Sequence, residues 1–394
     1  MRLYGEDLSR REVARRAGSL SQFAGVRLMT LGDGAERGVR MLEFRSGTGL
    51  RFTVMVDRCM DVGDCDFRGM SFGWNSPAGF KHPGLMEYEG EGGLGWLRGF
   101  SGLLATCGLD HILFMDAEPG DRYGYAARDT VDHSIHGRAA YLPARLTGYG
   151  ERWEGDRCFL WAEGVISQAA VFAENLQLTR RIEIEAGTND IRLSDRVENR
   201  GFAPTPHMLL YHINVGHPVI AEGARYLAPI EDVVWAGHAG ESYRAQGVGY
   251  RTLAGPRADF AEQVWEHEMA ADPSGEVPVA VVNDALGIGF EVVSRMDQMP
   301  CHYQWQNFQE GLYCMGVEPS TNHVLGHGYA RDNAEMIVLD HGESRSYDVT
   351  MRVLGGAAEI AAAERRIAGI ARQPDEDYPE PSGSFRSLTE LDRR

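Results

Sequence analysis

Long apolar segments are missing from this chain of 394 residues. It contains no run of about 18 apolar residues, the length that a membrane-spanning helix needs. The first residues, MRLYGEDLSRREVARRAG, carry charges where a secretory signal would have its apolar core. We therefore expect a soluble, cytoplasmic protein.

Basic residues are scarce as well. Lysine and arginine total 39 against 57 aspartates and glutamates, so the formal net charge is −18 at pH 7. Nucleic acids and anionic membranes are bound through concentrated basic surfaces that replace released counterions. We therefore expect neither as a partner and predict a small-molecule ligand instead. A homo-oligomer remains open.

Paired cysteines and common metal-binding motifs are also absent. The six cysteines form no CxxC pair, which favours reduced thiols, although one disulfide between two of them stays open. There is no HExxH motif, and His323 and His327 lie four residues apart in NHVLGHGY, whose glycines predict a loop and not a helix. We predict no metal and no cofactor. A metal-dependent enzyme is the alternative, which loss of activity on chelation would reveal.

The sequence is rich in short strand-like segments. Runs of Val, Leu, Phe and Thr separated by Gly, Asp and Asn extend from Phe23 to about Leu354. The clearest are LQLTRRIEIEA and DIRLSDRVENR, whose alternation and intervening turn at 187–190 predict a β-hairpin. Helices do not alternate with these strands, which argues against a doubly wound fold. We predict an all-β fold, a large antiparallel β-sandwich spanning residues 23–354.

Three segments depart from this pattern. Residues 1–22 form an N-terminal helical segment, with a helix over 6–17 capped by Asp7 or Ser9. Residues 71–112 are rich in Gly and aromatic residues and predict a rim or lid over one end of the sheets. Residues 355–394 contain an Ala-rich helix over 355–372 and a polar tail, which we expect to be poorly ordered unless it docks on a partner subunit.

A histidine and a glutamate stand in otherwise apolar strands. His212 lies in HMLLYHINVGHP, and Glu318 lies much later, in MGVEPSTN. An imidazole and a carboxylate on rigid strands are the minimum needed to move protons at neutral pH. We predict that His212 and Glu318 are the catalytic residues. The alternatives are a hydrogen-bonded core histidine and a structural ion pair between the glutamate and an arginine.

Two arginines and a histidine are candidates for holding a ligand. In HGR, His136 and Arg138 share a strand face and direct two donors the same way, as a polyhydroxylated ligand requires. Both residues could instead be solvated at the surface. Arg58, in MVDRCMDVGD, could hold a ligand hydroxyl, but a pair with Asp61 is the better supported reading.

Aromatic and amide side chains suggest a carbohydrate site. CHYQWQNFQEG places Gln304 and Gln306 on one strand face and Trp305 on the other. Aromatic rings that stack on C–H edges, with amide donors nearby, are typical of sugar sites, although aromatic residues are also ordinary core. Trp96 and Trp74 are further stacking candidates. Asn214 follows His212 on the same face, where the strand is expected to end at a cavity.

Several segments together resemble the aldose 1-epimerase, or galactose mutarotase-like, superfamily. They are HGR, YHINVGHP, GVEPST and the closing LDHGESRSYDVTMRVL. DRCMDVGD, GFSGLLATCGLDH and HGRAAYLPARL make the resemblance closer to a bacterial branch of uncharacterised aldose-epimerase-like proteins. The resemblance extends from about Gly25 to Leu354, which is most of the chain.

The resemblance implies a galactose mutarotase-like β-supersandwich with a sugar in a groove on one sheet. It implies that His136 binds the substrate, that His212 is the general acid and that Glu318 is the base. The chain departs from the family pattern at Arg138, where a second glycine is usual, and at Tyr211, where an asparagine is usual. Free galactose is therefore not carried over as the substrate.

The expected activity is a cofactor-independent interconversion of sugar anomers. Glu318 would take the proton of the anomeric hydroxyl while a protonated His212 gives one to the ring oxygen. For this, His212 should be held partly cationic by a nearby carboxylate or carbonyl. Two alternatives stay open. One is another epimerase, isomerase or lyase on an oxidised or keto-sugar, and the other is a non-catalytic carbohydrate-binding protein.

Overall fold

The computed structural model describes residues 1–122, 128–237, 245–374, 376 and 379–390. Strands make up 45% of the chain and helices 14%, which confirms the all-β prediction. The helices are α1 (Arg10–Arg16), α2 (Gly90–Gly93, a single irregular turn), α3 (Gly326–Asp332) and α4 (Ala357–Ile370). Within these ranges no helix combines the length and the apolar character needed to span a membrane.

The strands cover most of the chain between the terminal helices. The first part contains β1 (Arg2–Leu3), β2 (Glu6–Asp7), β3 (Gly25–Thr30), β4 (Arg40–Arg45), β5 (Leu50–Met55), β6 (Asp61–Phe67), β7 (Met70–Ser71) and β8 (Leu104–Leu109). The middle part contains β9 (Asp116–Pro119), β10 (Thr130–His133), β11 (Arg145–Glu154), β12 (Arg157–Ala169), β13 (Asn175–Glu185), β14 (Asp190–Asn199), β15 (Thr205–Gly216), β16 (Arg225–Leu227) and β17 (Ile230–Gly237). The last part contains β18 (Gln263–Met269), β19 (Glu276–Asn283), β20 (Ile288–Arg295), β21 (Cys301–Asn307), β22 (Cys314–Ser320), β23 (Ile337–Leu339) and β24 (Ser344–Leu354).

Three large antiparallel sheets contain most of these strands. The first has eight strands in the order β11-β12-β13-β14-β24-β20-β19-β16. The second runs β17-β18-β21-β22-β15-β23, with β8 also paired to β15, and the third runs β3-β4-β5-β6-β7. The predicted hairpin is β13–β14, whose side chains alternate between buried and less buried positions. The antiparallel sandwich predicted from the sequence is therefore confirmed.

The second sheet has a different environment on each face. One face packs into the largest hydrophobic cluster, which includes Ile182 of the first sheet, Phe52 of the third and Val317 of the second. The opposite face carries an aromatic cluster that includes Trp96, with Tyr303 of the sheet. Successive side chains of a strand point to opposite faces. The residues next to Val317 therefore face the aromatic cluster, and this placement positions the candidate site.

A buried arginine connects the three sheets. Arg180 of β13 is fully buried, and it donates to Asp195 of the same sheet at 2.6 Å and to Asp61 of the third sheet at 2.6 Å. Tyr211, on the second sheet, donates its hydroxyl to Asp195 at 2.7 Å. The sequence suggested that Asp61 pairs with Arg58. The structure corrects this, because Asp61 is bound to Arg180 and to Thr106.

The N-terminal segment folds as a short capped helix. Helix α1 begins after Ser9, which forms a reciprocal capping box with Glu12, so Ser9 is the cap and not Asp7. Val13 is buried in the main core.

The C-terminal segment folds onto its own chain. Helix α4 confirms the predicted helix and buries Ile360 and Ile367 against the outer face of the first sheet. The tail was expected to need a partner subunit for order. Instead, Ser382 and Gly383 donate backbone N–H groups to Val233 and Val234 of edge strand β17, at 3.0 and 3.1 Å. An edge strand offers unpaired backbone groups, which explains why a polar tail can dock there.

The excursion over residues 71–112 contains more order than predicted. Its last part is strand β8, which pairs with β15 in the second sheet. The part before β8 holds short turns that carry Trp96 and Phe100 over the sheet. The excursion thus supplies both a strand and the aromatic cover of one face.

Candidate active site

Strand pairing brings His212 and Glu318 side by side. Strand β15 pairs with β22 so that Leu210 lies opposite Ser320 and Ile213 opposite Val317. This register places His212 opposite Glu318, and same-face neighbours on adjacent strands lie close enough to interact. Gly316, two residues before the glutamate, makes room for it, because a Cβ there would lie 2.2 Å from Glu318 Oε1.

The two side chains touch each other directly. His212 Nε2 lies 3.3 Å from Glu318 Oε1, but the contact is not aligned as a hydrogen bond, and Glu318 Oε1 has no hydrogen-bond partner among the described residues. His212 Nδ1 is likewise buried without one. The 3.3 Å separation leaves no room for a sugar ring between the two groups. A ring would have to lie over the pair, in reach of both groups from one side.

Aromatic rings cover the pair. The ring centroids of Phe100, Trp305 and Trp96 lie 4.8, 5.3 and 6.1 Å from that of His212. As a result His212 is only 4% exposed and Glu318 only 2%. In this conformation a monosaccharide cannot reach the pair, so access requires the cover to move.

Burial sets the protonation of both groups. Desolvation lowers the pKa of His212 to about 3, against a smaller raising contribution from Asn214. Desolvation also raises the pKa of Glu318 to about 8, with a further raising contribution from the negative charge of Glu262. The sequence predicted a partly cationic histidine and an ionised glutamate. The structure favours the reverse near pH 7, a neutral imidazole beside a protonated carboxyl, because a dry site disfavours both charged forms.

Four of the predicted substrate-binding residues lie next to the pair. The His136 ring centroid is 5.4 Å from that of His212 and 4.6 Å from that of Trp96. Trp305 donates its indole N–H to Glu262 at 2.9 Å. Asn214 donates to the backbone carbonyl of Gly102 at 3.0 Å, so it also holds the end of the excursion. Their roles toward a ligand remain predictions.

The HGR segment is a tight turn and not a strand. His136 has a φ of 59°, a left-handed conformation that is uncommon for residues other than glycine. Gly137 follows with a φ of 70°, and a Cβ there would lie 2.6 Å from the carbonyl oxygen of Gly108. The prediction that His136 and Arg138 share a strand face is therefore wrong. Arg138 instead donates to Glu174 at 2.7 Å and to Glu89 at 2.6 Å.

Arg58 forms hydrogen bonds to the segment that carries the aromatic cover. It is 4% exposed, and its guanidinium donates to the backbone carbonyls of Gly79, at 3.2 Å, and of Gly99. Both acceptors belong to the excursion. The contacts therefore show Arg58 fastening the segment that carries Trp96, which differs from the predicted role of binding a ligand hydroxyl.

Gln304 and Gln306 face away from the pair. Tyr303 is paired with Glu318 across the sheet, so side chains of even number on β21 point to the opposite face. Gln304 donates to the carbonyl of Tyr250 at 2.9 Å, and Gln306 donates to that of Gly249 at 3.2 Å. The structure thus contradicts their assignment to the sugar site. Both amides hold a neighbouring backbone segment.

Sequence reasoning missed a second buried carboxylate, Glu266, on the same face of the second sheet. Glu266 pairs across β18 and β21 with Tyr303, which in turn lies opposite Glu318. Glu266 contacts His323 Nδ1 at 2.5 Å, and Cys301 Sγ lies 3.4 Å from the same nitrogen. Although burial opposes it, Cys301 and Glu266 raise the pKa of His323 to about 12. Glu266 lies in QVWEHEM, a strand with four polar residues, so it did not stand out in the sequence as Glu318 did in its apolar strand.

Among the residues that the structure describes, two groups of side chains could bind a metal ion. One is the group just described, Glu266, Cys301 and His323, and the other consists of His111, His133 and His327. His327 lies in helix α3, which begins at Gly326, whereas His323 precedes the helix, so the prediction of a loop holds only for the first half of this segment. All six cysteines are unpaired and buried, as predicted for reduced thiols.

Two glycine patterns resemble catalytic motifs but lack their structural context. Ser71 stands between Gly69 and Gly73 in a GxSxG pattern, yet it lies in a hairpin strand and donates its hydroxyl to the Gly73 carbonyl at 3.1 Å. A nucleophile elbow requires a strand-to-helix turn. The GxGxxG pattern at 90–95 falls in the irregular turns of the excursion, not after a strand.

The chain is similar in structure to several proteins of the mutarotase type. It aligns with a Klebsiella pneumoniae protein provisionally named aldose 1-epimerase at 26% identity and a TM-score of 0.80, covering 91% of each chain. A galactose mutarotase-like protein from Clostridium acetobutylicum aligns at 11% identity and a TM-score of 0.56, covering 83% of this chain and 98% of that one.

A galactose 1-epimerase from Lactobacillus acidophilus aligns at 11% identity and a TM-score of 0.52, covering 84% of this chain and 99% of that one. These last two likenesses show a shared fold alone. No curated protein matches the sequence. The fold is that of the galactose mutarotase-like sandwich. Residues 36–353 match the family described as "Domain of unknown function (DUF4432)", and the chain belongs to that family.

Proposed function

We propose that the protein is a carbohydrate-active isomerase of the aldose 1-epimerase type, with His212 and Glu318 as its proton-transferring pair. The observation that carries the proposal is the 3.3 Å contact between a buried imidazole and a buried carboxyl on a mutarotase-like sheet. Such a pair costs folding free energy through desolvation, and groups of this kind with strongly shifted pKa values cluster at functional sites.

The pair holds one mobile proton, and the pKa order places it on the glutamate. In the forward direction Glu318 gives its proton to the ring oxygen of the sugar, while a nitrogen of His212 accepts the proton of the anomeric hydroxyl. The bond between C1 and the ring oxygen breaks and a C1 carbonyl forms. After rotation about C1–C2, the two protons return and the ring closes on the other face. No cofactor enters this step.

Binding begins with displacement of the aromatic cover. Once the cover moves, Trp96 and Trp305 can stack on the C–H faces of the ring, and His136 can donate to a hydroxyl. Closure of the aromatic cover excludes water, which would otherwise stabilise the charged forms of His212 and Glu318. The cover therefore provides both selectivity for a sugar and the dry environment that sets the two pKa values.

The test is NMR exchange spectroscopy on a panel of aldoses, uronates and keto-sugars. Wild type should accelerate anomer exchange of at least one sugar, and Glu318→Gln should abolish the acceleration while that sugar still binds. The matched control is Glu266→Gln, which makes the same change at another buried carboxylate of the same face and should retain exchange. Binding without acceleration by wild type would point to a carbohydrate-binding protein instead, and full activity of Glu318→Gln would remove the glutamate from the mechanism.

A second candidate is proton transfer at carbon on an oxidised or keto-sugar. The pKa order favours it, since a carboxylate that titrates near pH 8 is a strong base and a neutral imidazole can donate a hydrogen bond to a carbonyl oxygen. Glu318 would then remove a C–H proton beside the carbonyl. Solvent deuterium appearing in a C–H position of the sugar would support this reaction, because mutarotation exchanges only O–H protons.

A further inference from the structure

Three histidines from separate parts of the chain meet beneath the surface. His111 follows β8, His133 ends β10 and His327 lies in α3. Their ring centroids are 4.4 to 5.1 Å apart, and one ring nitrogen from each lies within 4.8 Å of the others. All three are buried. None of them belongs to the site around His212.

The hydrogen bonding of His111 leaves one nitrogen without a donor. Its Nε2 lies 2.7 Å from the carbonyl oxygen of Phe114, a contact that requires an N–H on Nε2. In the neutral ring, Nδ1 is then a lone-pair acceptor, and it is buried with no hydrogen-bond partner among the described residues. Leaving a buried acceptor unpaired costs folding free energy. A histidine whose second nitrogen is fixed by a carbonyl is the usual form of a metal ligand.

A carboxylate lies beside the three rings. Glu118 Oε2 lies 3.7 Å from His327 Nδ1, and the same carboxylate accepts two hydrogen bonds from Arg331. In metal sites, a carboxylate that is itself fixed by hydrogen bonds commonly lies next to a ligand histidine and orients it.

We propose that His111, His133 and His327 bind one divalent transition-metal ion of the Zn²⁺ type. Imidazole nitrogens suit zinc and its neighbours, which they bind at about 2.0–2.1 Å. A tetrahedral ion at that distance brings its ligand nitrogens to about 3.4 Å from one another. The nitrogens therefore need to close by about an ångström or less per side chain, and the rings, whose planes are stacked at 16–26° to one another, also have to turn so that their lone pairs converge.

The proposed ion has a positioning role for the region of the candidate active site. It ties the β9–β10 hairpin to helix α3, and the turn that carries His136 begins immediately after His133. The backbone N–H of His136 donates to the carbonyl of Leu113, close to His111 in the chain. Metal binding would therefore restrain the turn on which the substrate-binding histidine is predicted to lie. The metal site itself does not depend on the proposed function.

The test is metal content, measured by mass spectrometry after addition of Zn²⁺ and removal of loosely bound ions. Wild type should retain about one zinc per chain, and His111→Gln and His327→Gln should each retain less than about a tenth of that. The matched control is His302→Gln, a buried histidine with an unpartnered Nδ1 elsewhere in the second sheet, which should retain the wild-type content. Circular dichroism establishes that each variant is folded.

Three further outcomes bear on the proposal. Cobalt substituted for zinc should give visible d–d bands of a nitrogen-ligated ion, and those bands should be absent in His111→Gln. Wild type that retains no zinc would overturn the proposal. Zinc lost in His323→Gln but kept in His111→Gln would also overturn it, since the ion would then belong to Glu266, Cys301 and His323.

Discussion

Glu318 is the residue on which the proposed chemistry depends most. Its pKa of about 8 and that of His212 near 3 leave a single proton on the pair between these limits. Its two possible roles therefore require opposite protonation states. As an acid in ring opening it must keep its proton, and as a base at carbon it must lose it.

The direction of the pH–rate profile follows from these roles. For anomer exchange, we expect kcat/KM to be constant from about pH 5 to 7 and to fall about tenfold per pH unit above pH 8, because kcat/KM reports the groups of the free enzyme. NMR exchange rates between pH 5 and 10 measure this. A rate that rises through pH 8 would contradict the mutarotase mechanism and favour proton removal from carbon.

Glu262→Gln provides an internal check on that profile. It removes a negative charge that raises the pKa of Glu318, while the amide oxygen can still accept from Trp305. The fall in rate should therefore move to lower pH, with its slope unchanged.

Burial of Glu318 also makes folding stability depend on pH. The pKa of Glu318 is higher in the folded chain than in the unfolded chain. Its contribution to the free energy of unfolding is therefore fully present below the unfolded pKa and is lost as pH rises through about 8. Glu318→Gln has no such titration. Relative to wild type, the variant should gain stability on the order of a few kcal/mol between pH 5 and 8.5. Urea unfolding at both pH values measures this, and equal pH dependence of the two proteins would contradict a raised pKa.

At the residue scale, the sequence was informative wherever a polar side chain interrupts an apolar strand. This signal pointed to His212 and Glu318, but it was missing at Glu266, whose strand QVWEHEM carries four polar residues. It was misleading for Gln304 and Gln306, since alternation assigns two faces but does not say which face carries the site. The pairing of Tyr303 with Glu318 decides which face of β21 carries the site, and alternation within one strand does not fix the register between two strands.

At the scale of elements, the excursion and its fastening by Arg58 determine access to the pair. We expect Arg58→Met to leave the carbonyls of Gly79 and Gly99 unpaired and to loosen the segment between them. Amide hydrogen exchange over residues 79–99 should accelerate about tenfold or more, from the loss of buried hydrogen bonds worth about 1–3 kcal/mol each.

The matched control for this change is Arg98→Met. Arg98 lies in the same segment, is mostly exposed and pairs only with Glu91 among the described residues. Its loss should leave exchange close to that of wild type. Equal exchange in Arg58→Met and wild type would show that Arg58 does not fasten the cover.

Elements with a strong local pattern could be predicted, and elements that depend on distant partners could not. The hairpin β13–β14 and helix α4 follow from alternation and from alanine content. Strand β8 was placed inside a loop, because its glycine-rich surroundings conceal a strand whose partner, β15, lies about a hundred residues later. The tail was misjudged for the same reason, since its partner is the edge of β17.

At the scale of the whole molecule, Arg180 joins the three sheets through buried ionic contacts. Replacing it by methionine keeps much of its volume but leaves Asp61 and Asp195 buried without their cation. We expect Arg180→Met to lower the free energy of unfolding by about 3–5 kcal/mol.

The adjacent Arg181 supplies the comparison for this prediction. It lies on the other face of the same strand and pairs at the surface with Glu183. Arg181→Met should cost about 1 kcal/mol or less. Chemical denaturation measures both variants, and similar losses would mean that the buried network adds no stability of its own.

The fold class could be predicted because hairpin signals recur along the chain and because several segments resemble one superfamily. The order of strands across the sheets could not, since β14 pairs with β24 and β20 also pairs with β24 across long separations. The position of the candidate site within the fold follows from that order, which is why the sequence could suggest His212 and Glu318 but not what surrounds them.

The docking of residues 382 and 383 on β17 also has a consequence for colloidal behaviour. A chain lacking residues 379–394 would present a bare sheet margin whose N–H and C=O groups could pair with the same margin of another molecule. We expect this truncated chain to self-associate as its concentration rises, which light scattering would detect, whereas the full chain stays dispersed under the same conditions. The tail would then prevent polymerisation of the chain through edge-to-edge strand pairing.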